Sequence, residues 1–138
     1  MLGISGELRQ ILINLLQNAI DALPNGGRIL IRVQPSRSWR RDATEVPGYA
    51  IAICDSGMGI AAAARVRLFT PFFTTKGEQG TGLGLWLVHS LAAKQGGRIA
   101  CRSRVAGANA GGSGTVFRVW LPLETPQKTE MKVIRAVR

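Results

Sequence analysis

Cysteine, tyrosine and histidine are nearly absent from this chain, with two, one and one among 138 residues, and no apolar stretch approaches the roughly 18 residues of a membrane-spanning helix. Each shortage removes a class of function. No membrane contact is expected of this segment, and its first residues lack the basic, apolar, small-residue order of a secretory signal, so the expected location is the cytoplasm. Cys54 and Cys101 are too few and too far apart for a disulfide framework or a metal site, and read as free thiols in strands. Acidic residues are scarce too. Eight Asp and Glu against eighteen Lys and Arg leave a net charge of +10, which suits an anionic partner without choosing among nucleotide, nucleic acid and acidic protein. Much of the excess is local: Arg37, Arg40 and Arg41 surround Trp39, and Lys128, Lys132, Arg135 and Arg138 lie near the end. Both clusters read as solvated segments, and no nucleic-acid partner is expected. There is no internal repeat and no GxxxxGK[ST] phosphate loop, and no GxGxxG follows the first predicted strand.

What is present is enough for one compact domain, since 46% of the residues are hydrophobic and 19% charged. In LRQILINLLQNAIDAL, residues 8–23, the apolar positions Leu8, Ile11, Leu12, Leu15, Leu16, Ala19, Ile20 and Leu23 recur three and four apart, the stripe of a core-facing helix. Asn14, Asn18 and Asp21 then fall on a narrow arc beside that stripe, at the boundary between core and solvent. Ser5 is the expected N-cap, and Pro24-Asn25-Gly26-Gly27 the stop.

Downstream, residues 28–33 and 49–54 read as strands, the second mostly apolar and therefore central, with residues 34–48 as a surface connection. Residues 61–68 have helix-forming composition, and a further helix is predicted over 83–94. Strands follow at 98–104 and 115–123, separated by a Gly, Ala and Asn loop, and the tail 124–138 reads as a linker or disordered end. The αββαββ order, with adjacent strands close enough to pair as hairpins, predicts an α+β two-layer sandwich. Its sheet is expected to be mixed, mostly antiparallel, with helices on one face.

Three segments then suggest one pocket. Gly80, Gly82 and Gly84, at the start of a helix, let backbone N–H groups approach an anion, although a plain hinge would look the same. Asp55, in DSGMG at a strand end, would repel phosphate but can accept a hydrogen bond from an exocyclic amine such as that of adenine. Asn14 and Asn18 offer neutral amide oxygens suited to a hydrated Mg²⁺ carried by a triphosphate.

In order and spacing, NLLQNAIDA (14–22), DSGMG (55–59), FTPFFTTK (69–76) and GTGLGL (80–85) resemble four boxes of the sensor histidine kinase ATP-binding domain, in the wider group with gyrase, Hsp90 and MutL. They correspond to its asparagine, first glycine, phenylalanine and second glycine boxes, and the wording looks most like kinases of the nitrogen-regulation type. The resemblance implies a Bergerat-type α/β sandwich over residues 1–123, without the edge strand that usually precedes the first helix. It implies Mg-ATP as ligand and transfer of the γ-phosphoryl group to a histidine on a separate helical dimerisation domain, with a response regulator downstream.

Position by position, the resemblance makes Asn18 the Mg²⁺ ligand, Asp55 the adenine-reading carboxylate, and Gly57 and Gly59 the glycines passing under the base. Gly80, Gly82 and Gly84 become the lid glycines, Thr115 a hydroxyl near an adenine-bound water, and Lys76 a lid cation with a catalytic role beside Asn14 and Asn18. Phe69, Phe72 and Phe73 become lid anchors, and Asp21, Ile60, Thr81, Leu83 and Leu85 complete the ATP-binding set. Asn14 stands where the group's ATPases usually carry a glutamate base; an amide cannot take a proton, so water activation is not favoured. His89, the lone histidine, reads as a helix-surface residue, since family acceptors lie ahead of this domain. Two other readings remain: a stand-alone ATPase, and a non-catalytic module in which ATP only sets a conformation.

Overall fold

The computed structural model describes residues 2–77, 80–107 and 111–123. The predicted tail lies outside them, as does the middle of the Gly, Ala and Asn loop. In chain order the elements are α1 (Leu2–Asp21), β1 (Ile29–Trp39), β2 (Glu45–Asp55), α2 (Ala62–Arg65), α3 (Gly84–Lys94), β3 (Arg98–Arg104) and β4 (Gly114–Pro122). The strands form one sheet in the order β1-β2-β4-β3. Every neighbouring pair is antiparallel, so no parallel pair occurs among the described strands.

The helices α1 and α3 cover one face. Ile11, Leu15 and Ala19 of α1 and Val88 and Ala92 of α3 meet Ile53 of β2 and Phe117 and Val119 of β4 in a single core. These positions are the three-and-four stripe of α1 and the odd-numbered set of each strand, the two periodicities that a helix packed on a sheet must satisfy together. Ile20 departs from the stripe. It is 54% exposed, two turns on from the 53% exposed Ile13 and on the same side of α1, while Ala19 beside it faces the core. The helix also begins at Leu2, so Ser5 lies inside it and is not the N-cap. Residues 2–5 contain no proline, and Gly3 and Ser5 cost a helix only about 1 kcal/mol and a few tenths of a kcal/mol.

The surface connection expected over 34–48 is instead the closed end of a long hairpin, in which β1 and β2 pair from Ile29 opposite Asp55 to Trp39 opposite Glu45. Its two prolines are tolerated because of where their missing N–H groups point. The Pro47 carbonyl accepts from Leu123 N at 3.1 Å, so the Pro47 nitrogen also faces the β4 side, just past the last β2–β4 pair. By the same alternation Pro35, opposite Tyr49, turns its nitrogen to the unpaired outer edge of β1. The turn is short: Arg40 N donates to Thr44 O at 2.9 Å, and Asp42 Oδ1 accepts from Thr44 N at 3.0 Å. Ala43 takes the left-handed conformation there, with φ 61°. Of the helix expected over 61–68, only Ala62–Arg65 is α-helical, and single turns carry the chain on to Leu68, which is buried.

Cys54 and Cys101 are free thiols in β2 and β3. Burial pushes the Cys101 thiol up to about 11. No helix among the described residues is long and apolar enough to cross a membrane.

Leu15 is wholly buried, so Leu15→Ala is expected to cost about 2–5 kcal/mol in denaturant unfolding. Ile20→Ala, although the same kind of residue on the same helix, is expected to cost less than about 1 kcal/mol. Equal losses would mean that Ile20 belongs to the core.

Candidate functional site

Asp55 is the last residue of β2, and the register sets it opposite Thr115 of β4, which is itself opposite Ser103 of β3. All three belong to the helix-covered face, in the row beyond Ile53 and Phe117 of the core. Asp55 Oδ1 accepts from Gly57 N at 2.8 Å, which fixes the carboxylate as the chain turns. Burial raises the Asp55 pKa above the ordinary carboxylate value, while the backbone groups of Gly57 and Thr115 pull it the other way. Ser103 organises the neighbourhood: its Oγ accepts from Ile60 N at 2.7 Å, donates to Gly114 O at 3.1 Å, and lies 2.8 Å from Thr115 Oγ1. The Thr115 hydroxyl therefore donates to Ser103 and keeps its lone pairs for another donor. Gly59, at φ 78°, passes so close to the Arg104 carbonyl that a Cβ would collide with it.

The other end is built on α1. Lys76 Nζ donates to Asn18 Oδ1 at 3.0 Å and pairs with Asp21. Asp21 also accepts from Gln17 Nε2 at 2.8 Å. The hydrogen bond from Lys76, then that from Gln17, holds the Asp21 carboxyl below the usual range. Asn18 Nδ2 is buried with no hydrogen-bond partner among the described residues, so this carboxamide is only half satisfied. One turn earlier, Asn14 Nδ2 donates to Gln10 O at 2.9 Å. Its Oδ1 faces the start of α3, where a Cβ on Gly84 would lie 3.1 Å away.

The segment between them folds back as a flap. Phe72 N donates to Gly82 O at 2.9 Å, with Phe72 at φ 64° and Gly82 at φ 70°. A Cβ at Gly82 would strike the Phe72 backbone, so this crossing requires glycine. Thr74 Oγ1 accepts from Lys76 N at 3.0 Å, which orients the lysine towards α1. Gly80 closes a turn on Gly77, and Thr81 Oγ1 accepts from Leu83 N at 3.4 Å. Leu83 places no side chain on the helix N-terminus, so the first N–H groups of α3 carry no side-chain cap and Leu85 packs against the core.

Phe69 and Phe73 pack on the core as expected of anchors, whereas the Phe72 ring is 75% exposed and only its backbone holds the flap. His89 is exposed on α3 and its ring stacks on Phe69 at 5.6 Å. The structure thus brings Asn18, Asp21 and Lys76 into one cluster, sets Asn14 against Gly84, and gathers Asp55, Ile60 and Thr115 around Ser103. Ser103 was not singled out from the sequence, because only the β3–β4 register shows that it meets Thr115.

Such a site can take a group with an amine-bearing ring at the Asp55 end and an anionic, cation-carrying end between α1 and the start of α3. Residues 3–125 match the family described as histidine kinase-, DNA gyrase B-, and HSP90-like ATPase. The chain is 38% identical over 124 residues to the sensor kinase CckA of Brucella abortus (strain 2308), covering 85% of this chain and 12% of CckA. It is 40% identical over 122 residues to the sensor histidine kinase ZraS of Escherichia coli (strain K12), covering 88% of this chain and 23% of ZraS. The chain thus spans less than a quarter of the length of these curated relatives. Among solved structures, the mycobacterial sensor histidine kinase MprB superposes with a TM-score of 0.68 at 30% identity, over 86% of this chain and 71% of that one. Full-length ShkA in complex with AMPPNP superposes at 0.63 with 31% identity, over 87% of this chain and 22% of ShkA. The chain belongs to the histidine kinase-, DNA gyrase B- and HSP90-like ATPase family, as an ATP-binding catalytic domain of the sensor histidine kinase kind.

Proposed function

We propose that this domain binds Mg-ATP between α1, the 55–60 turn and the 69–85 segment, and presents its γ-phosphoryl group to a histidine on a separate helical dimerisation domain. That acceptor belongs to the same or a partner kinase on the cytoplasmic side of the cell, and a response regulator receives the phosphoryl group next. The observation that carries this reading is the cluster of Asn18, Asp21 and Lys76. An ammonium sits on the Asn18 oxygen beside the Asp21 carboxylate, so this oxygen faces a place that takes a cation, and the buried Asn18 Nδ2 makes no hydrogen bond among the described residues that would tie the side chain to the fold.

The residues fit the implied ligand. Asp55 accepts from the exocyclic amine and Thr115 offers lone pairs beside it, while the uncapped N–H groups of α3 and the Gly80–Gly84 turn face the phosphates. Asn18 would hold Mg²⁺, which supplies charge neutralisation on the phosphate oxygens when bound. Lys76 is the second cation within reach of that charge. Asn14 distinguishes transfer from hydrolysis. Its amide donates to Gln10 O and cannot accept a proton, so no carboxylate base stands where water would need one. An imidazole nitrogen needs no such base, because it attacks through a lone pair, and positioning plus charge neutralisation suffices.

Calorimetry with ATP and GTP, with and without Mg²⁺, tests the binding. Asn18→Ala is expected to lose most of the Mg²⁺-dependent gain in affinity, while binding without Mg²⁺ changes little. Asp55→Asn is expected to lose the preference for ATP over GTP by roughly tenfold or more, the worth of one charge-assisted hydrogen bond. Equal ATP and GTP affinity in the unmutated domain would overturn the adenine assignment.

A pH series checks the same carboxylate. Because burial raises its pKa, Asp55 takes up a proton on acidification before an ordinary carboxylate does, and the protonated form loses acceptor strength towards the amine. ATP affinity should therefore fall as the pH drops into that range, and the fall should be absent in Asp55→Asn. The stability contribution has the opposite sign: the folded state binds this proton more tightly, so the penalty of the buried charge grows as pH rises through the same window.

A further inference from the structure

The two faces of the sheet differ in charge. The pairing register joins Arg32, Ala52, Arg118 and Ala100 in one row across β1, β2, β4 and β3. Adjacent rows of the same face run Gln34, Ala50, Trp120, Arg98 and Leu30, Cys54, Val116, Arg102, and Arg104 lies opposite Gly114. The core residues Ile53, Phe117 and Val119 occupy the alternate positions, so these rows form the face that no helix among the described residues covers. Arg32, Arg98, Arg102, Arg104 and Arg118 are all exposed on it. No carboxylate accompanies them in the strands. Asp55 and Glu45 hold alternate positions, Glu7 and Asp21 are on α1, and Asp42 is in the hairpin turn. The ion pairs among the described residues are Arg37–Glu45, Lys76–Asp21 and Lys94–Glu7, none of which includes a guanidinium of this face.

We propose that the helix-free face of the sheet is a docking surface for a carboxylate-rich polypeptide surface, gripped by Arg32, Arg98, Arg102, Arg104 and Arg118. Five like charges on a level face repel one another, and only an anionic partner converts that repulsion into attraction. The choice of a protein partner rests on three features. Every cation in these rows is arginine and none is lysine, the bias of protein interfaces, where a planar guanidinium matches a carboxylate through two parallel hydrogen bonds. The floor between the arginines is small and apolar at Ala52 and Ala100, which are not buried, so a partner can approach the backbone closely there. Nucleic acid fits less well. The aromatic ring within these rows, Trp120, is 7% exposed beneath the Arg98 guanidinium at 5.8 Å, so no ring among the five arginines is open to a base, and no helix among the described residues stands on this side to enter a groove.

The test uses the whole chain and a fluorescein-labelled peptide of alternating Glu and Asp, with duplex DNA as the competing anion. Arg32→Gln, Arg102→Gln and Arg118→Gln combined are compared with Arg9→Gln, Arg37→Gln and Lys94→Gln combined, which remove the same charge from exposed positions elsewhere. Circular dichroism first establishes that both variants are folded. The face variant should bind the peptide roughly tenfold more weakly at low salt, from the loss of three exposed ion pairs, while the control changes less than about twofold. Equal losses in the two variants would reduce the binding to net charge and overturn the proposal. Tighter, face-dependent binding of DNA than of peptide would overturn it in favour of a nucleic-acid surface, and no peptide binding at low salt would overturn it outright.

Discussion

The packing of α1 on the sheet is the contact on which the site depends. Ile11, Leu15 and Ala19 are anchored against Ile53, Phe117, Val119 and the α3 residues Val88 and Ala92. Because a helix is rigid over a few turns, fixing that stripe also fixes Asn14 and Asn18, which project from the same turns at the rim of the core. A polar group on a loop would have to be ordered at each binding event. Here the hydrophobic core has already met that cost, and the amides stand where the first turn of α3 and the flap lysine reach them.

The two ends of the site are electrostatically different for identifiable reasons. At the α1 end, a carboxylate and a carboxamide share one ammonium, an arrangement that holds Asp21 ionised. At the β2 end, Asp55 is half-buried, faces no cation at hydrogen-bond distance, and is kept in place by Gly57 N. A carboxylate of that kind favours a donor that is neutral and directional, such as an amine on a ring, over a metal ion. The flap joins the two regions through its backbone: Phe72 and Gly82 both adopt left-handed conformations and Phe72 N donates to Gly82 O, so its path depends on a crossing that requires glycine at position 82.

Much of this was legible in the sequence because two periodicities and a few punctuating residues carry most of the fold. The three-and-four stripe of α1 foretold Leu15 and Ala19 in the core, and the apolar run of residues 49–54 foretold a central strand. The elements that were misread share a cause, which is that their local chemistry is overruled by neighbours. Residues 34–48 carry prolines and charge and look like a loop, yet Pro35 turns its nitrogen to the open edge of β1, Pro47 lies just past the last β2–β4 pair, and the hairpin continues to Trp39. Ile20 has the spacing of the stripe but sits on the side of α1 that carries exposed Ile13. Within the site, the glycines, Asp55 and the asparagines could be named from type and order. Ser103 could not, since its role comes from lying opposite Thr115, and neither could the pairing of Lys76 with Asp21 across the fold.

Whether the bound nucleotide is a phosphoryl donor or a fuel for hydrolysis is decided most directly by following the γ-phosphate. The domain would be incubated with ATP labelled at that position, alone and together with a separately prepared helical dimerisation domain carrying the acceptor histidine. With Asn14 unable to act as a base and no acceptor in this chain but the surface residue His89, the expected result is an unlabelled domain and acid-labile, base-stable label on the added histidine domain. Label released steadily as inorganic phosphate, with none on the histidine domain, would contradict the assignment of this site to phosphoryl transfer.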